Sequence, residues 1–317
     1  MKIIITGALG HIGSKLIREI PQAFPDSEIM MIDNILTQRY CSLFDLPAKA
    51  RYRFIEADVL NMDLNPVFEG ADVVLHLAAI TDATSSFQNR EKVEYVNYHA
   101  TVKVAEACQA MGCPMIHVST TSVYGTQKAV VDEACAPEDL RPQSPYAETK
   151  LKEEKYLQSM GSAGVLSMVI CRFGTICGVS PGMRFHTAIN KFCWQAVMRQ
   201  PLTVWRTALL QKRPYLALSD AVRALIFIMK EELYDRRIYN VLTVNLTIET
   251  IIERIRRYVP RLDVQFVDSE IMNQLSYEVL SRRFMEQGFR FNGSVDSSIE
   301  ETVGLLKNAG TERSLGL

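Results

Sequence analysis

The sequence predicts an α/β fold in which a doubly wound parallel sheet is joined to a smaller, interleaved C-terminal α/β lobe. Three observations predict it. A β-branched run at Lys2–Thr6 leads directly into glycines with the spacing TGxxGxxG. Short apolar runs then alternate with stretches of helical periodicity up to residue 178, which is typical of a parallel sheet with crossover helices. From residue 179 onward the alternation gives way to loops, helices and short strands.

The N-terminal strand, glycine loop and helix form a Rossmann-type dinucleotide-binding pattern. Gly7 permits the tight turn after the strand, Gly10 lets backbone N–H groups approach a pyrophosphate, and Gly13 allows the helix to pack closely on the strand. The N-terminus of this helix then faces the phosphates. His11 and Ile12 begin the helix and are counted with the glycines as candidate cofactor-binding residues.

A second predicted strand, Glu28–Ile32, ends at Asp33, which lies 20 residues after Gly13. A carboxylate at this point accepts hydrogen bonds from the 2′- and 3′-hydroxyls of the adenosine ribose and repels a 2′-phosphate. The sequence therefore predicts NAD as cofactor in preference to NADP. The alternative is that a glycine triplet and one aspartate occur at this spacing by chance. A strand, a loop, a helix, a second strand and an acid in this order nevertheless favour dinucleotide binding. Asn34, next to the acid, is counted with it.

The third and fourth predicted strands, Tyr52–Glu56 and Ala71–Leu77, end beside the same expected pocket. After the third, Asp58 is placed to accept a hydrogen bond from the adenine amino group, although a turn or capping role explains it equally well. After the fourth, two alanines leave room for the cofactor at the carboxyl edge of the sheet. The candidate cofactor-binding residues at these strand ends are Asp58, Val59, Leu77, Ala78 and Ala79.

A helix predicted over Glu91–Met111 and a fifth strand over Met115–Ser119 lead into a hydroxyl-rich stretch that begins at Thr120. Asn97 on this helix is expected to be a packing or surface residue. The alternative is that Asn97 orders an active-site lysine through water, and for that reason it is counted among the cofactor-binding candidates.

Ser144-Pro145 marks the start of a helix that carries Tyr146 and Lys150 on one face. A phenol has a pKa of about 10, and an ammonium group within about 4–6 Å lowers the pKa of an acid by roughly one to three units. We therefore expect Tyr146 to take a proton from a substrate hydroxyl while hydride leaves the same carbon for NAD, with Lys150 also holding the nicotinamide ribose. Thr120 would orient the reacting oxygen, and Tyr146 is counted with Lys150 among the cofactor-binding candidates as well. Taken alone, a tyrosine and a lysine four residues apart are also explained as two neighbouring residues on the exposed surface of a helix.

The pattern changes after a sixth predicted strand, Gly164–Cys171. Two later strands, Tyr215–Leu218 and Arg237–Val241, and the helix between them are expected to return to the first lobe. No low-complexity linker separates the lobes, so the boundary between them is interleaved. We divide the chain into an NAD-binding domain, 1–178 with 215–243, and a substrate-binding lobe, 179–214 with 244–317.

Composition describes an ordinary soluble globular protein of 317 residues, 48% apolar and 22% charged. Its net charge of -1 gives no reason to expect nucleic acid or an anionic membrane as partner. Seven cysteines form no CxxC pair and no metal-binding spacing with histidine, so we expect no metal site and reduced thiols in a cytoplasmic protein. The first strand begins at once, which leaves no space for a secretion signal, and the apolar run Ala224–Met229 is too short to span a bilayer.

Together these motifs resemble the extended short-chain dehydrogenase/reductases, and within them the NAD-dependent sugar-nucleotide epimerase/dehydratase group (UDP-galactose 4-epimerase-like). The matching segments are TGALGHIG, the acid Asp33, LAA at Leu77–Ala79, STTSVYG at Ser119–Gly125 and SPYAETK at Ser144–Lys150. The resemblance implies that Thr120 is the catalytic hydroxyl and that Tyr146 and Lys150 are the catalytic pair. It also implies a nucleotide-sugar substrate, a role in carbohydrate biosynthesis and a homodimer formed by the helices that carry Asn97 and Tyr146.

One departure from the family pattern favours one of its reactions. In that family the 4,6-dehydratases carry Asp-Glu after the catalytic threonine and the decarboxylases keep a Glu, whereas this chain has Thr121-Ser122. We therefore expect an epimerase that acts at C4 through a 4-keto intermediate and hydride return. The alternatives are a 4-ketoreductase, dehydratase or decarboxylase, or a non-catalytic NAD-binding regulatory protein. The substrate-binding candidates are Thr81, Thr121, Asn190 and Arg213, with Arg184 as a further candidate; Asn190 and Arg213 match an Asn and an Arg that bind the diphosphate in relatives.

Overall fold

The structure, a computed structural model, describes residues 1–82, 85–125, 128–268 and 276–309. Its centre is a seven-stranded sheet in which every neighbouring pair of strands is parallel, so the predicted fold class is confirmed. In chain order the strands are β1 (Lys2–Thr6), β2 (Glu28–Asp33), β3 (Arg51–Glu56), β4 (Val73–His76), β5 (Met115–Thr120), β6 (Val130–Val131), β7 (Met168–Phe173), β8 (Thr175–Cys177), β9 (Leu202–Trp205), β10 (Arg213–Ala217), β11 (Asp235–Val241), β12 (Val244–Leu246), β13 (Val264–Val267) and β14 (Glu278–Val279).

The large sheet has the strand order β11-β7-β5-β4-β1-β2-β3. From β1 the chain adds β2 and β3 on one side, and it then returns to add β4, β5, β7 and β11 on the other side. The strand order therefore reverses between β1 and β4. In an open parallel sheet, ligands bind in the crevice outside the carboxyl ends of the strands where the order reverses. The topology alone places a binding crevice beyond Thr6 and His76, the last residues of these two strands.

Helices cover both faces of this sheet, and each face has its own apolar core. On one face α1 and α6 pack over the strands through side chains such as Leu16 and Leu225. On the other face α3 and α4 contribute Val104 and Leu157. The helices are α1 (His11–Ala23), α2 (Asn65–Phe68), α3 (Arg90–Met111), α4 (Pro145–Ser162), α5 (Ala188–Val197), α6 (Leu218–Lys230), α7 (Ile248–Arg256), α8 (Arg282–Glu286) and α9 (Val295–Leu306).

A smaller group of elements forms a third apolar core, made mainly by α5, α7 and α9. It carries a three-stranded sheet of order β12-β10-β8 and the pair β13-β9. The strand expected near Tyr215 is part of this three-stranded sheet, so of the returning segment only β11 joins the large sheet, while α6 and Leu216 pack in its core. The domain division stays a prediction, and the parts of its second lobe at 269–275 and 310–317 lie outside the described residues.

The sixth strand begins at Met168, four residues later than Gly164, where the sequence pattern started it. The reason is local, because the intervening residues close α4. Gly164 has φ +75°, and its N–H donates to the carbonyl of Gly161 at 3.0 Å. Val165 N–H then donates to Met160 O at 3.2 Å, which completes the helix end. Apolar residues within this turn had extended the predicted strand.

Asp220 joins the helix α6 to the segment before α9. Its carboxylate is fully buried and accepts hydrogen bonds from Asn292 N at 3.2 Å, Gly293 N at 2.9 Å and the Thr243 hydroxyl at 2.8 Å. The Arg223 guanidinium adds a fourth donor at 2.8 Å. These contacts fix the two parts of the chain against each other.

Candidate active site

The glycine loop after β1 is a tight backbone turn that only glycine fits. Gly7 has φ +69°, and a Cβ built on it would lie 2.6 Å from the backbone nitrogen of Ala78. A Cβ on Gly13 would lie 2.6 Å from the carbonyl oxygen of Ala8. These close approaches bring β1, α1 and the end of β4 together, so the N-terminus of α1 faces the crevice, as an anion such as a diphosphate requires.

A G7A substitution is expected to abolish dinucleotide binding and to lower the free energy of unfolding. The left-handed backbone alone costs about 1–2 kcal/mol for a residue with a Cβ, and here the added atom also meets backbone that cannot move aside. The matched control is G70A, because Gly70 has φ +67° with nothing within 4 Å of its Cβ position. Calorimetric NAD titration and thermal unfolding of both variants check this. Equal NAD binding by G7A and G70A would contradict it.

A cavity of about 340 Å³ opens at this edge of the sheet. Its lining contains ten of the residues singled out from the sequence: Gly7, Gly10, Asp33, Asn34, Asp58, Val59, Leu77, Ala78, Ala79 and Thr81. Arg39 and His186, which sequence reasoning missed, also line it. The guanidinium of Arg39 reaches within 4.0 Å of the Cβ position of Gly10 and so brings positive charge to the phosphate end. The lining does not include Thr120, Tyr146 or Lys150.

Asp33 is held in a fixed orientation at the end of β2. One carboxylate oxygen accepts a hydrogen bond from Leu9 N at 3.0 Å, and the other accepts one from Ile35 N at 2.9 Å. Each oxygen keeps a further lone pair, and the half-buried carboxylate lines the cavity. These acceptors fit the vicinal hydroxyls of an adenosine ribose, and the glycine loop fits the diphosphate. The carboxylate of Asp33 and the glycine loop together therefore fit NAD.

Neighbouring residues hold the cavity walls. Asn34 donates to Asp58 Oδ2 at 3.2 Å, while Asp58 Oδ1 accepts from Leu60 N at 2.9 Å, which is the turn role that the sequence left open. Asn97 is 1% exposed and bonds both backbone groups of Ile80, at 2.8 and 2.9 Å. Asn97 thus fixes the segment after β4, and its amide atoms are occupied by Ile80 in this structure.

His11 connects the glycine loop to the residue that follows β8. Its ring Nε2 donates to the carbonyl of Gly178 at 2.8 Å, and burial lowers the pKa of the imidazole to about 3. The ring is therefore neutral, and its role in the described contacts is to tie α1 to the end of β8. Ile12, the next residue, packs against the core below the loop.

Tyr146 and Lys150 lie on the first turns of α4. Ser144 caps this helix by accepting a hydrogen bond from Ala147 N at 3.2 Å, and Pro145 occupies its first position, as the sequence predicts. Burial raises the pKa of Tyr146 above its ordinary value, more than the positive charges of Lys150 and Arg184 lower it. The expectation of a lowered pKa is therefore wrong for the protein by itself, since the sequence could not report how far the phenol is desolvated.

Lys150 is 3% exposed, and its ammonium group lies 2.9 Å from Glu153 Oε2. Burial lowers the pKa of Lys150, but the charges of Glu153 and Tyr146 more than offset this, so its pKa is raised overall. The lysine is thus protonated in the site. Sequence reasoning missed Glu153, although an acid three residues after a helical lysine is a recognisable signal.

The hydroxyl groups at the end of β5 differ in their surroundings. Thr120 is half-buried, and its hydroxyl oxygen accepts a hydrogen bond from Ser122 N at 3.1 Å, which leaves its proton available to a ligand. Thr121 is 3% exposed, and its hydroxyl donates to the carbonyl of Phe173 at 3.2 Å. Thr121 is therefore engaged within the fold, while Ser122 is exposed. Neither position after Thr120 holds an acid.

Arg184, in the segment between β8 and α5, lies beside Thr81, a residue that lines the cavity. Its guanidinium donates to the hydroxyl of Thr81, and the charge of Arg184 acts on Tyr146. Asn190 is fully buried, accepting from Gly178 N at 3.2 Å and donating to the carbonyl of Arg184 at 3.0 Å, so it positions the arginine's segment. Arg213 donates to Gln211 Oε1 at 3.0 Å and stacks over a tyrosine ring at 5.2 Å.

Two further features bear on what the site holds. Nowhere in residues 1–82, 85–125, 128–268 and 276–309 do three or more His, Cys, Asp or Glu side chains converge so that they could bind a metal ion. In the same part of the chain, each helix is too short or too polar to cross a membrane.

Comparisons with known proteins agree with this geometry. A model of the NAD dependent epimerase/dehydratase family matches residues 3–241. The chain is 34% identical over 241 residues to the uncharacterized UDP-glucose epimerase YtcB of Bacillus subtilis (strain 168), which covers 72% of each chain. Among solved structures, UDP-glucuronic acid 4-epimerase from Bacillus cereus in complex with UDP-glucuronic acid and NAD is 26% identical, with a TM-score of 0.84 over 98% of this chain and 100% of that chain.

A longer relative is the trifunctional UDP-glucose 4,6-dehydratase/UDP-4-keto-6-deoxy-D-glucose 3,5-epimerase/UDP-4-keto-L-rhamnose-reductase RHM1 of Arabidopsis thaliana. It is 28% identical over 318 residues, which cover 95% of this chain and 46% of that protein. The chain therefore spans about half the length of this relative.

Proposed function

Because the chain belongs to the NAD-dependent epimerase/dehydratase family, we propose that it is an NAD-dependent nucleotide-sugar epimerase that inverts C4 through a 4-keto intermediate. The observation that carries this proposal is the pair of residues after Thr120. Thr121 is engaged with backbone and Ser122 is exposed, so the position where the family's dehydratases hold an acid pair has no carboxylate. Removal of water from the sugar needs such an acid, whereas inversion at C4 does not.

In this proposal each group of the chain has a separate role in cofactor binding or proton transfer. The glycine loop and Asp33 hold the cofactor, and when NAD is bound it supplies the acceptor and donor of a hydride at the sugar carbon. Thr120 orients the 4-hydroxyl of the sugar, and Tyr146 takes its proton and later returns it. Lys150 stabilises the phenolate by its charge and holds a ribose hydroxyl. Arg184 faces the same crevice from the second lobe and lies where it can position the sugar.

A second candidate is a 4,6-dehydratase, or a 4-ketoreductase or decarboxylase of the same family. It is favoured by the coverage of the relatives, because the dehydratase-containing RHM1 matches over 95% of this chain and the epimerase YtcB over 72%. The missing acid pair weighs against dehydration in particular.

The decisive experiment is mass spectrometry of the small molecules released from freshly purified protein, followed by incubation with UDP-, GDP-, CDP- and dTDP-sugars. Retained NAD and an isomeric product of unchanged mass support the epimerase. A product lighter by water or carbon dioxide supports the dehydratase or decarboxylase, and turnover only with added NADH supports the reductase. Retained NAD without turnover of any sugar supports a non-catalytic NAD-binding protein.

We also propose that the protein is a cytoplasmic homodimer in a pathway of carbohydrate biosynthesis. The supporting surface is the packed pair α3 and α4, on which Tyr95 is 62% exposed. A two-fold axis across these helices would bury such side chains in a four-helix interface. The cysteines of the described residues are free thiols, as in a reducing compartment. Sedimentation as a monomer at micromolar concentration would contradict the dimer.

Asp33→Asn is expected to weaken the preference for NAD over NADP by about tenfold or more, equivalent to about 1.4 kcal/mol. The amide keeps the shape of the carboxylate but removes the charge that repels a 2′-phosphate. Titration of cofactor-free protein with NADH and NADPH, followed by nicotinamide fluorescence, measures the ratio. Asp58→Asn is the control, since Asp58 lines the same cavity and is expected to leave the ratio unchanged. An unchanged preference in the Asp33 variant would contradict the assigned role.

A further inference from the structure

A buried cluster of Lys150, Glu153 and His117 lies behind the catalytic pair. Glu153 Oε2 is 2.9 Å from Lys150 Nζ and 3.1 Å from His117 Nε2. Glu153 and His117 are fully buried, and Lys150 is 3% exposed. The cluster joins the helix α4, which carries Tyr146, to the strand β5, which ends in Thr120. It therefore links the two elements that hold the proposed catalytic side chains.

The charges around Glu153 make it the counter-ion of the catalytic lysine. The neighbouring acid, Glu154, is paired with Arg172 at 2.7 Å. Burial lowers the pKa of both His117 and His76, so these rings carry no charge at neutral pH. The titratable and charged groups that face the cluster are Lys150, Tyr146 and Glu154 from α4, His117 from β5, His76 from β4, and Arg184 from the second lobe.

We propose that Glu153 is a positioning residue for the reaction proposed above: its carboxylate keeps Lys150 protonated and aims the ammonium group beside Tyr146. The inference rests on the proposed function. A purely structural role does not explain the acid, because Glu153 Oε1 and both ring nitrogens of His117 have no hydrogen-bond partner among the described residues. A buried polar atom left in this way costs about 1–3 kcal/mol, and such costs concentrate at functional sites.

Removal of the Glu153 carboxylate is expected to lower two pKa values, that of Lys150 and that of Tyr146. Burial lowers the pKa of Lys150, and the charge of Glu153 opposes this, so without the acid the lysine loses its proton at lower pH. Glu153 also raises the pKa of Tyr146, so without the acid the phenol ionises at lower pH while Lys150 is still charged. The acid limb of the kcat profile follows Tyr146 and the alkaline limb follows Lys150. Both limbs therefore move toward acid.

The test is the pH profile of kcat for the wild-type protein, E153Q, E153D and E148Q, measured from about pH 6 to 11.5 with NAD and a saturating nucleotide sugar, so that the range includes the alkaline limb of the wild-type protein. E153Q is expected to shift both limbs to lower pH by about one unit or more, and E153D by less. E148Q is the matched control, because Glu148 lies on the same helix but is exposed and paired with Arg90 at 2.7 Å. A loss in E153Q by the same factor at every pH would overturn the proposal and leave a structural role.

A second readout does not depend on turnover. Selective ¹⁵N labelling of lysine side chains, with the Lys150 signal identified by its loss in K150R, gives the pKa of Lys150 by NMR. The pKa of Lys150 is expected to lie above its ordinary value in the wild-type protein, because of the charge of Glu153, and to fall in E153Q. If the wild-type protein converts no nucleotide sugar, the proposed function fails while this titration still decides the role of Glu153. If E153Q does not fold, E153D replaces it, and an unshifted E153D overturns the proposal.

Discussion

Replacement of Tyr146 by phenylalanine is expected to lower kcat by about 10²- to 10⁴-fold. The phenol is the group proposed to take the proton from the sugar hydroxyl. Phenylalanine keeps the half-buried ring but offers no acid or base at that point. The substitution removes no hydrogen bond from the cofactor cavity, whose lining does not include Tyr146. The amount of NAD retained and the thermal unfolding temperature are therefore expected to stay at the wild-type level.

Tyr156→Phe is the matched control for this experiment. Tyr156 lies on the same helix, but its hydroxyl donates to Glu106 at 3.3 Å on the outer side of α3 and α4. Steady-state kinetics of both variants with the sugar identified by the panel separate the two positions. If Tyr146→Phe retained most of its kcat, another group would have to act as the base. If it lost NAD together with activity, Tyr146 would hold the cofactor and no catalytic role would follow.

The sequence predicted those parts of the site that depend on spacing along the chain. The glycines of the first loop, Asp33 and the Tyr146–Lys150 pair each occupy fixed positions relative to a strand end or a helical turn. The large sheet followed for the same reason, because its central strands contain apolar runs such as Ile3–Ile5, buried on both faces. Two-residue strands such as Val130–Val131 are too short to show any alternation.

The remaining features depend on contacts between distant segments or on irregular backbone. Arg39 reaches the cavity from a loop in which Ile35 and Gln38 have positive φ, a conformation that neither residue type signals. His117 meets Glu153 only because β5 packs beneath α4. The raised pKa of Tyr146 reflects burial by surrounding elements, which a helical spacing cannot convey. Periodicity therefore located the helix that carries Tyr146 and Lys150 but not the electrostatic surroundings of its side chains.

The buried pair Glu154–Arg172 connects α4 to β7. The guanidinium is 3% exposed and donates to both carboxylate oxygens at 2.7–3.2 Å. Ser119 on β5 donates to the same carboxylate at 2.5 Å, and Arg172 also donates to the hydroxyl of Tyr124 at 2.9 Å. Burial disfavours the charge on Arg172, but the negative charge of Glu154 raises its pKa overall. Each charge is stable in this place because the other is present.

Glu154→Ala is therefore expected to lower the free energy of unfolding by about 3–5 kcal/mol, the usual cost of leaving one buried charge without its partner. Urea-induced unfolding followed by fluorescence measures the loss. Glu19→Ala is the control, since Glu19 forms an exposed pair with Lys15 at 3.2 Å and is expected to cost less than about 1 kcal/mol.

The double variant Glu154→Leu with Arg172→Met distinguishes the cause of that loss. Apolar side chains of similar volume remove both charges together, and such replacements of buried pairs are often neutral or stabilising. We expect the double variant to recover most of the stability that Glu154→Ala loses, because the penalty arises from the orphaned guanidinium. If the double variant were as unstable as Glu154→Ala, the pair would stabilise the fold by its own attraction. Ser119 and Tyr124 would then have to be counted as part of one cooperative network with it.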